Sequence, residues 1–323
     1  MSVRPPLLSE IETAAATLAP YIRHTPLLSW VGGEKERLTE AQEVTLKLEL
    51  FQLSGSFKLR GALLNVLALD EAARTRGVTA VSAGNHAIAL SMAAKILNSH
   101  AKVVMPRSAN PYRVETCRKL GAEVLLVNDV KEAFERVEQI RTEEGRSFVH
   151  PFEGETTALG TATVGYEFVK QSPDTEVFII PIGGGGLAAG MAAAIRQLRP
   201  EARIFGVEPF GADSMWRSFQ SGKPESIEKV QTIADSLGAP FAMPYSFGLC
   251  QMYLESVVRV EDEEIRRAMR LLFTEFKLAA EPACAASLAA LLGPLRQELA
   301  GKKVGLIACG SNIDVETFST FLL

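Results

Sequence analysis

The sequence lacks the features that would place a protein on a nucleic acid, in a membrane or outside the cell. Its four cysteines, Cys117, Cys250, Cys284 and Cys309, stand far apart, with no CxxC pair and no histidine cluster beside them. That excludes a zinc site and a disulfide framework, and it points to a reducing, cytoplasmic compartment. Lysines and arginines form no run, and 34 of them against 38 acidic residues leave a formal net charge of −4. Such a surface offers no electrostatic footprint for nucleic acid or an anionic membrane. The opening MSVRPPLLSEIETAAATLAP has neither the apolar core nor the cleavage pattern of a secretory signal. One stretch without charge, Val177 to Ile195, approaches spanning length, but Pro181 and four successive glycines lie in its middle. A continuous helix fails there, and the stretch reads as buried strand, glycine turn and helix.

What is present is an ordinary globular composition, 47% hydrophobic and 22% charged, in 323 residues. That length fits about two domains at roughly 150 residues each. Strand-like runs alternate with helical patterns along nearly the whole chain. VTLKLEL (44–50) precedes SFKLRGALLNVLAL, GVTAVS precedes HAIALSMAAKIL, and AKVVMP, AEVLLVN, EVFIIPI, ARIFGVE and KKVGLIA follow with helical segments between them. Strands rich in Val and Ile on both faces, separated by helices, predict an α/β fold with parallel sheets covered on both sides. No linker divides the chain into consecutive halves, so a second domain is expected as an insertion.

In open parallel sheets, ligands bind beyond the carboxyl ends of the strands. Four turns occupy such places: Ser54 to Lys58 (SGSFK), Ser82 to His86 (SAGNH), Gly183 to Gly186 (GGGG) and Cys309 to Asn312 (CGSN). Consecutive glycines curl the backbone so that several N–H groups face one concavity, and the following helix adds its dipole, which makes a phosphate site. Two readings compete for it. Gly183-x-Gly185-x-x-Ala188, with Glu208 ending the next strand, satisfies a loose dinucleotide fingerprint and hence a nicotinamide-dependent dehydrogenase. Lys58, in an otherwise uncharged patch behind Phe57, favours a nucleophilic lysine instead, because burial lowers an amine's pKa.

Taken in order, SGSFKLRGA, SAGNHA, PIGGGG, GVEP, AEPACAASLAAL and CGSN resemble the serine/threonine dehydratase family of fold-type II pyridoxal-phosphate enzymes, which includes serine racemase. The resemblance runs from about Arg23 to Asp314. It implies a tryptophan synthase β-like fold with two parallel-type sheets and helices on both faces. The large cofactor-binding domain would comprise residues 1–78 and 152–323, with a small inserted domain at 79–151.

It also implies roles. Lys58 would form the Schiff base with the cofactor aldehyde and Phe57 would pack on the pyridine ring. Asn85 would meet the phenolic oxygen, Gly183, Gly184, Gly185 and Gly186 would cradle the phosphate, and Cys309 would face the pyridine nitrogen. The loop Ser82, Ala83, Gly84, Asn85 and His86 would receive the substrate carboxylate. A neutral thiol at Cys309 cannot hold a proton on the pyridine as a carboxylate would, which favours loss of a β-leaving group. The expected reaction is dehydration and deamination of L-threonine or L-serine to 2-oxobutanoate or pyruvate plus ammonia.

Departures from the family pattern sharpen the expectation. Serine racemases carry serine where Ala83 stands, so racemisation is not expected. Glu208, Ala212 and Ser214, with carbonyls near Leu237 and Ala239, resemble a cation site, and the hydroxyl of Ser214 favours potassium over magnesium. Gly160-Thr161-Ala162-Thr163 and Ser236 replace common family residues at positions expected to line the substrate pocket, which keeps 3-hydroxyaspartate and phenylserine as alternative substrates. Arg113, His150 and the Glu281-Pro282 pair are expected near the site, the first two in surface or packing roles. The chain ends soon after the last catalytic strand, so no regulatory domain is expected. A homodimer or homotetramer is the expected assembly.

Overall fold

A computed structural model describes residues 3–323. Its strands are β1 (Leu27–Ser29), β2 (Glu43–Lys47), β3 (Val78–Val81), β4 (Ala101–Pro106), β5 (Glu123–Val127), β6 (Ser147–Phe148), β7 (Val177–Pro181), β8 (Arg203–Pro209), β9 (Ser256–Val260) and β10 (Lys303–Ile307). They form a six-stranded sheet ordered β1-β2-β10-β7-β8-β9 and a four-stranded sheet ordered β5-β4-β3-β6. Every pairing is parallel except that of the edge strand β1 with β2. All strands of the smaller sheet lie between β2 and β7 in the chain.

The α/β reading therefore holds, and the reason is visible in burial. Every residue of β3 and of β7 is buried, as the apolar runs require when helices cover both faces. Charge-free Val177 to Ile195 resolves into β7, a glycine turn and the helix Gly186–Leu198. No helix among the described residues is long and apolar enough to cross a membrane.

One strand is shorter than its sequence implies. The run 44–50 leaves the sheet after Lys47 and turns through a short 3-10 segment, Glu49–Phe51. The turn delivers the fully buried Glu49 carboxylate to Arg60, which holds it through Nε at 2.8 Å and Nη2 at 2.6 Å. Arg60 also reaches Glu167 at 2.7 Å, and the buried Lys47 ammonium pairs with the same Glu167 at 2.7 Å. These four charges tie β2 to the helices Lys58–Leu67 and Glu155–Gln171. Buried charges persist only when paired and hydrogen-bonded, and here each one is.

Candidate active site

The four turns singled out in the sequence all leave carboxyl ends of strands or the segment just after one, and the fold brings them to one cleft. Lys58 opens the helix Lys58–Leu67, anchored behind by Phe57, whose N–H donates to the Cys309 carbonyl at 3.1 Å, and by the bridge between Ser56 and Gly310. Its Nζ donates to the Pro151 carbonyl and lies 5.2 Å from the Phe57 ring centroid. Burial lowers the amine to about 8, against the opposing pull of Cys309 and Glu281. A lysine at about 8 keeps an appreciable uncharged fraction near neutrality, which a nucleophile or base requires.

Asn85 begins the helix Asn85–Ile96 after β3, and its amide is oriented by a chain of partners. Asn312 Nδ2 donates both to the Ser54 carbonyl at 2.9 Å and to Asn85 Oδ1 at 2.6 Å. That leaves Asn85 Nδ2 as donor, with one bond to Glu281 Oε1 at 2.6 Å and a longer one to Ser236 Oγ at 3.3 Å. The shorter bond fixes the side chain, and the longer one marks the N–H free to serve a ligand. Burial pushes the Glu281 carboxyl up to about 7, while Arg113 pulls the other way.

Of the surface and packing roles expected for Arg113, the structure excludes the first. Only 6% exposed, Arg113 reaches from the smaller sheet's layer to Asp235 at 2.5 and 3.2 Å and to the Asn312 carbonyl at 2.9 Å, and it stands 3.7 Å from Glu281. It thereby clasps the two sides of the cleft. A side chain on Gly84 would come within 3.5 Å of the Arg113 guanidinium.

In the SAGNH loop, the Gly84 N–H donates to Ser82 Oγ at 3.2 Å. The amides of Ala83, Asn85 and His86 find no acceptor among the described residues, so the loop keeps donors for an anion. The His86 side chain is occupied within the protein. Its buried Nε2 donates to the Val149 carbonyl at 2.9 Å, and burial lowers the ring to about 3, so it contributes as an uncharged wall.

The glycine turn has the bare amides that a phosphate cradle requires. The N–H groups of Gly183, Gly184, Gly185 and Gly186 have no acceptor among the described residues. Gly185 adopts φ +91°, and a Cβ on Gly184 or Gly186 would run into Phe152. A backbone so bare, beside a lysine of lowered pKa, fits pyridoxal phosphate: amides for the phosphate, Lys58 for the aldehyde, Asn85 for the phenolic oxygen. Cys309 is buried, and its thiol is held well above the ordinary range by a hydrogen bond with Cys284 and by desolvation, so it would offer a cofactor ring a neutral partner. The Cys284 contact was not foreseen.

Of the three readings open to Glu208, ribose ligand, cation ligand or strand-end carboxylate satisfied by backbone N–H groups, the structure shows the third. It is fully buried, and its oxygens accept the Met215 and Trp216 amides at 3.0 and 2.7 Å, capping the helix Ser214–Ser221. A carboxylate so enclosed cannot reach a ribose, which removes the dehydrogenase reading. Ser214 Oγ does lie 3.3 Å from the Ala239 carbonyl, but no group of three or more His, Cys, Asp or Glu suited to a metal exists among the described residues. The arrangement at Glu208, Ala212 and Ser214 does not support a metal. Of the departures at 160–163, Thr161 lines the cleft and donates to the Gly186 carbonyl at 2.7 Å, whereas Thr163 turns toward Arg60. Thr157, Pro151 and Asn312 also serve the site; the sequence had flagged only Asn312, and only as part of a turn.

Comparison with known proteins agrees with this geometry. The family described as "Pyridoxal-phosphate dependent enzyme" matches residues 18–310. A phenylserine dehydratase of Ralstonia pickettii is 50% identical over 317 residues, covering 98% of this chain and 96% of that protein. An L-threonine ammonia-lyase of Thermotoga maritima is 38% identical, covering 95% of this chain and 76% of the relative. Among solved structures, maize serine racemase superposes with a TM-score of 0.93 at 33% identity, covering 98% of this chain and 97% of that one.

Proposed function

This chain belongs to the pyridoxal-phosphate-dependent enzymes, in the threonine dehydratase and serine racemase family, and from that premise we propose that it dehydrates and deaminates phenylserine to phenylpyruvate and ammonia. The observation that carries the choice is the 50% identity, along almost the full length of both chains, with a phenylserine dehydratase. It moves the reading away from threonine and serine, the substrates expected from motifs alone.

The bound cofactor supplies an electron sink for the α-carbon. The residues of the chain do the rest. Lys58, once free, takes the α-proton on Nζ, and the amides of the SAGNH loop hold the substrate carboxylate. Asn85 and Cys309 would hold the cofactor ring, and Arg113 with Asp235 bridges the two sides of the cleft. Loss of the β-hydroxyl as water leaves an enamine, which tautomerises and hydrolyses to the ketoacid and ammonia.

A ketoacid assay over L-threo-phenylserine, L-threonine, L-serine and 3-hydroxyaspartate tests the assignment. Burying one phenyl ring is worth about 1.5–3 kcal/mol, so kcat/KM for phenylserine should exceed that for threonine by roughly ten- to a hundredfold. Threonine turned over as well as phenylserine would overturn the choice of substrate. No ketoacid from any of the four would overturn the catalytic reading.

The same enzyme should make almost no D-serine. Two-faced proton exchange needs a carrier on each side of the α-carbon, and Ala83 has none to offer. Chiral chromatography of the serine reaction checks this, and D-serine appearing at a rate comparable to pyruvate would refute it.

A further inference from the structure

His150 has a tautomer that the backbone dictates. Its Nδ1 accepts the N–H of Glu153 at 2.9 Å and of Phe152 at 3.3 Å. A ring nitrogen that accepts from amides carries no hydrogen, so the neutral imidazole bears its hydrogen on Nε2. The ring cannot easily turn, being edge-on to Phe152 at 4.6 Å and to Phe148 at 5.9 Å. No acceptor among the described residues is hydrogen-bonded to Nε2. The imidazole lines the same cavity as Lys58, Thr161 and Gly186. Two residues on, Phe152 lies against Gly184 and Gly186 of the glycine turn. One short segment thus touches Lys58 through Pro151, packs on the cradle through Phe152, and brings a spare N–H between them through His150.

We propose that His150 presents Nε2–H as an uncharged hydrogen-bond donor to the cofactor phosphate held by Gly183–Gly186. The inference rests on the assignment of that turn to the phosphate. Burial, reinforced by the nearby Lys58 ammonium, lowers His150 to about 4, which favours the uncharged ring. A cation there would repel the Lys58 ammonium and lower the amine's proton affinity further. A neutral donor orients the phosphate without that cost.

Two substitutions separate this role from a structural one. His150→Asn keeps an oxygen able to accept the Phe152 and Glu153 amides but has no donor at the distance of Nε2. His150→Gln extends an amide N–H toward that position. Holoenzyme stripped of cofactor is titrated back with pyridoxal phosphate and, in parallel, with pyridoxal, which lacks the phosphate, following the absorbance of the lysine-bound cofactor. A hydrogen bond to a charged group predicts that H150N weakens pyridoxal phosphate binding by roughly ten- to a hundredfold. Pyridoxal binding should be unchanged, and H150Q should recover most of the loss. Equal losses for both cofactors, no loss for either, or H150Q as weak as H150N would overturn the proposal. Wild-type protein binding pyridoxal as tightly as pyridoxal phosphate would instead show that the glycine turn holds no phosphate, a failure distinct from that of His150.

Discussion

Exchange of Lys58 for alanine is expected to abolish ketoacid release from every β-hydroxy amino acid while leaving the protein folded. The fold should survive because Lys58 occupies the first position of its helix, where alanine is well tolerated, and its Nζ has only the Pro151 carbonyl as partner. The chemistry should not, because no second amine in the cleft can hold the cofactor aldehyde or take the α-proton. Removing a group that serves as both nucleophile and base costs at least about a thousandfold in rate. The stripped wild-type enzyme should also capture pyridoxal with a pH dependence set by this amine. The uncharged form is the nucleophile, so the rate should rise through about pH 8 and level off above it, well below the ordinary lysine range. Absorbance-monitored capture across about pH 6–12, a span that brackets both values, reads this directly. An inflection near 10, or K58A enzyme that still turns over phenylserine, would refute the role.

The largest effect on stability is expected from Arg60→Met. Arg60 is 1% exposed and neutralises Glu49 and Glu167, whose carboxylates lie at 0% and 9% exposure. Removing the guanidinium leaves two buried carboxylates sharing one lysine, Lys47. Breaking a buried pair in this way costs about 3–5 kcal/mol, because the surviving charge stays out of water. Denaturant unfolding measures the loss, and a change under about 1 kcal/mol would show that the network is dispensable. Arg60→Lys should fall between the two, since it keeps the charge but not the two-pronged grip on Glu49. Because Arg60 lies two residues beyond Lys58 on one helix, part of the damage should surface as weaker cofactor retention.

Local chemistry in the chain was legible without coordinates. Glycines in a row, a lysine in an apolar patch and an asparagine at a helix start each carry a physical consequence within five or six residues. The strands β3, β4, β7, β8 and β10 were equally plain, because burial on both faces leaves uninterrupted apolar runs, and β5 shows a similar run although it is only partly buried. Three kinds of feature were not. The short edge strands β1 and β6 and the half-exposed β9 lack such a run. The partners of Asn85, namely Asn312, Glu281 and Ser236, come from segments that meet only through the fold. Arg113 was expected near the site in a surface or packing role, and its part in the cleft was not legible because its partners Asp235 and Asn312 lie far along the chain. Glu208 failed in the opposite sense, since an acidic residue at a strand end has the same sequence signature whether it binds a ribose, a cation or the amides of the next helix.

The pairing of β2 with β10 carries a consequence for how the protein is made. Val44 lies beside Val304, so a strand translated early must wait for almost the whole chain before its central neighbour emerges from the ribosome. Until then β2 has only the three residues of β1 as a partner, and its other edge is open to other chains. The four-stranded sheet has no such delay, because all of its strands are made consecutively between residues 78 and 148. Synthesis should therefore produce a folded insert on an unfinished frame, and the frame closes last, around β10. The strand that completes the frame also leads two residues on to Cys309, so the cleft can receive its cofactor only after β10 has been made.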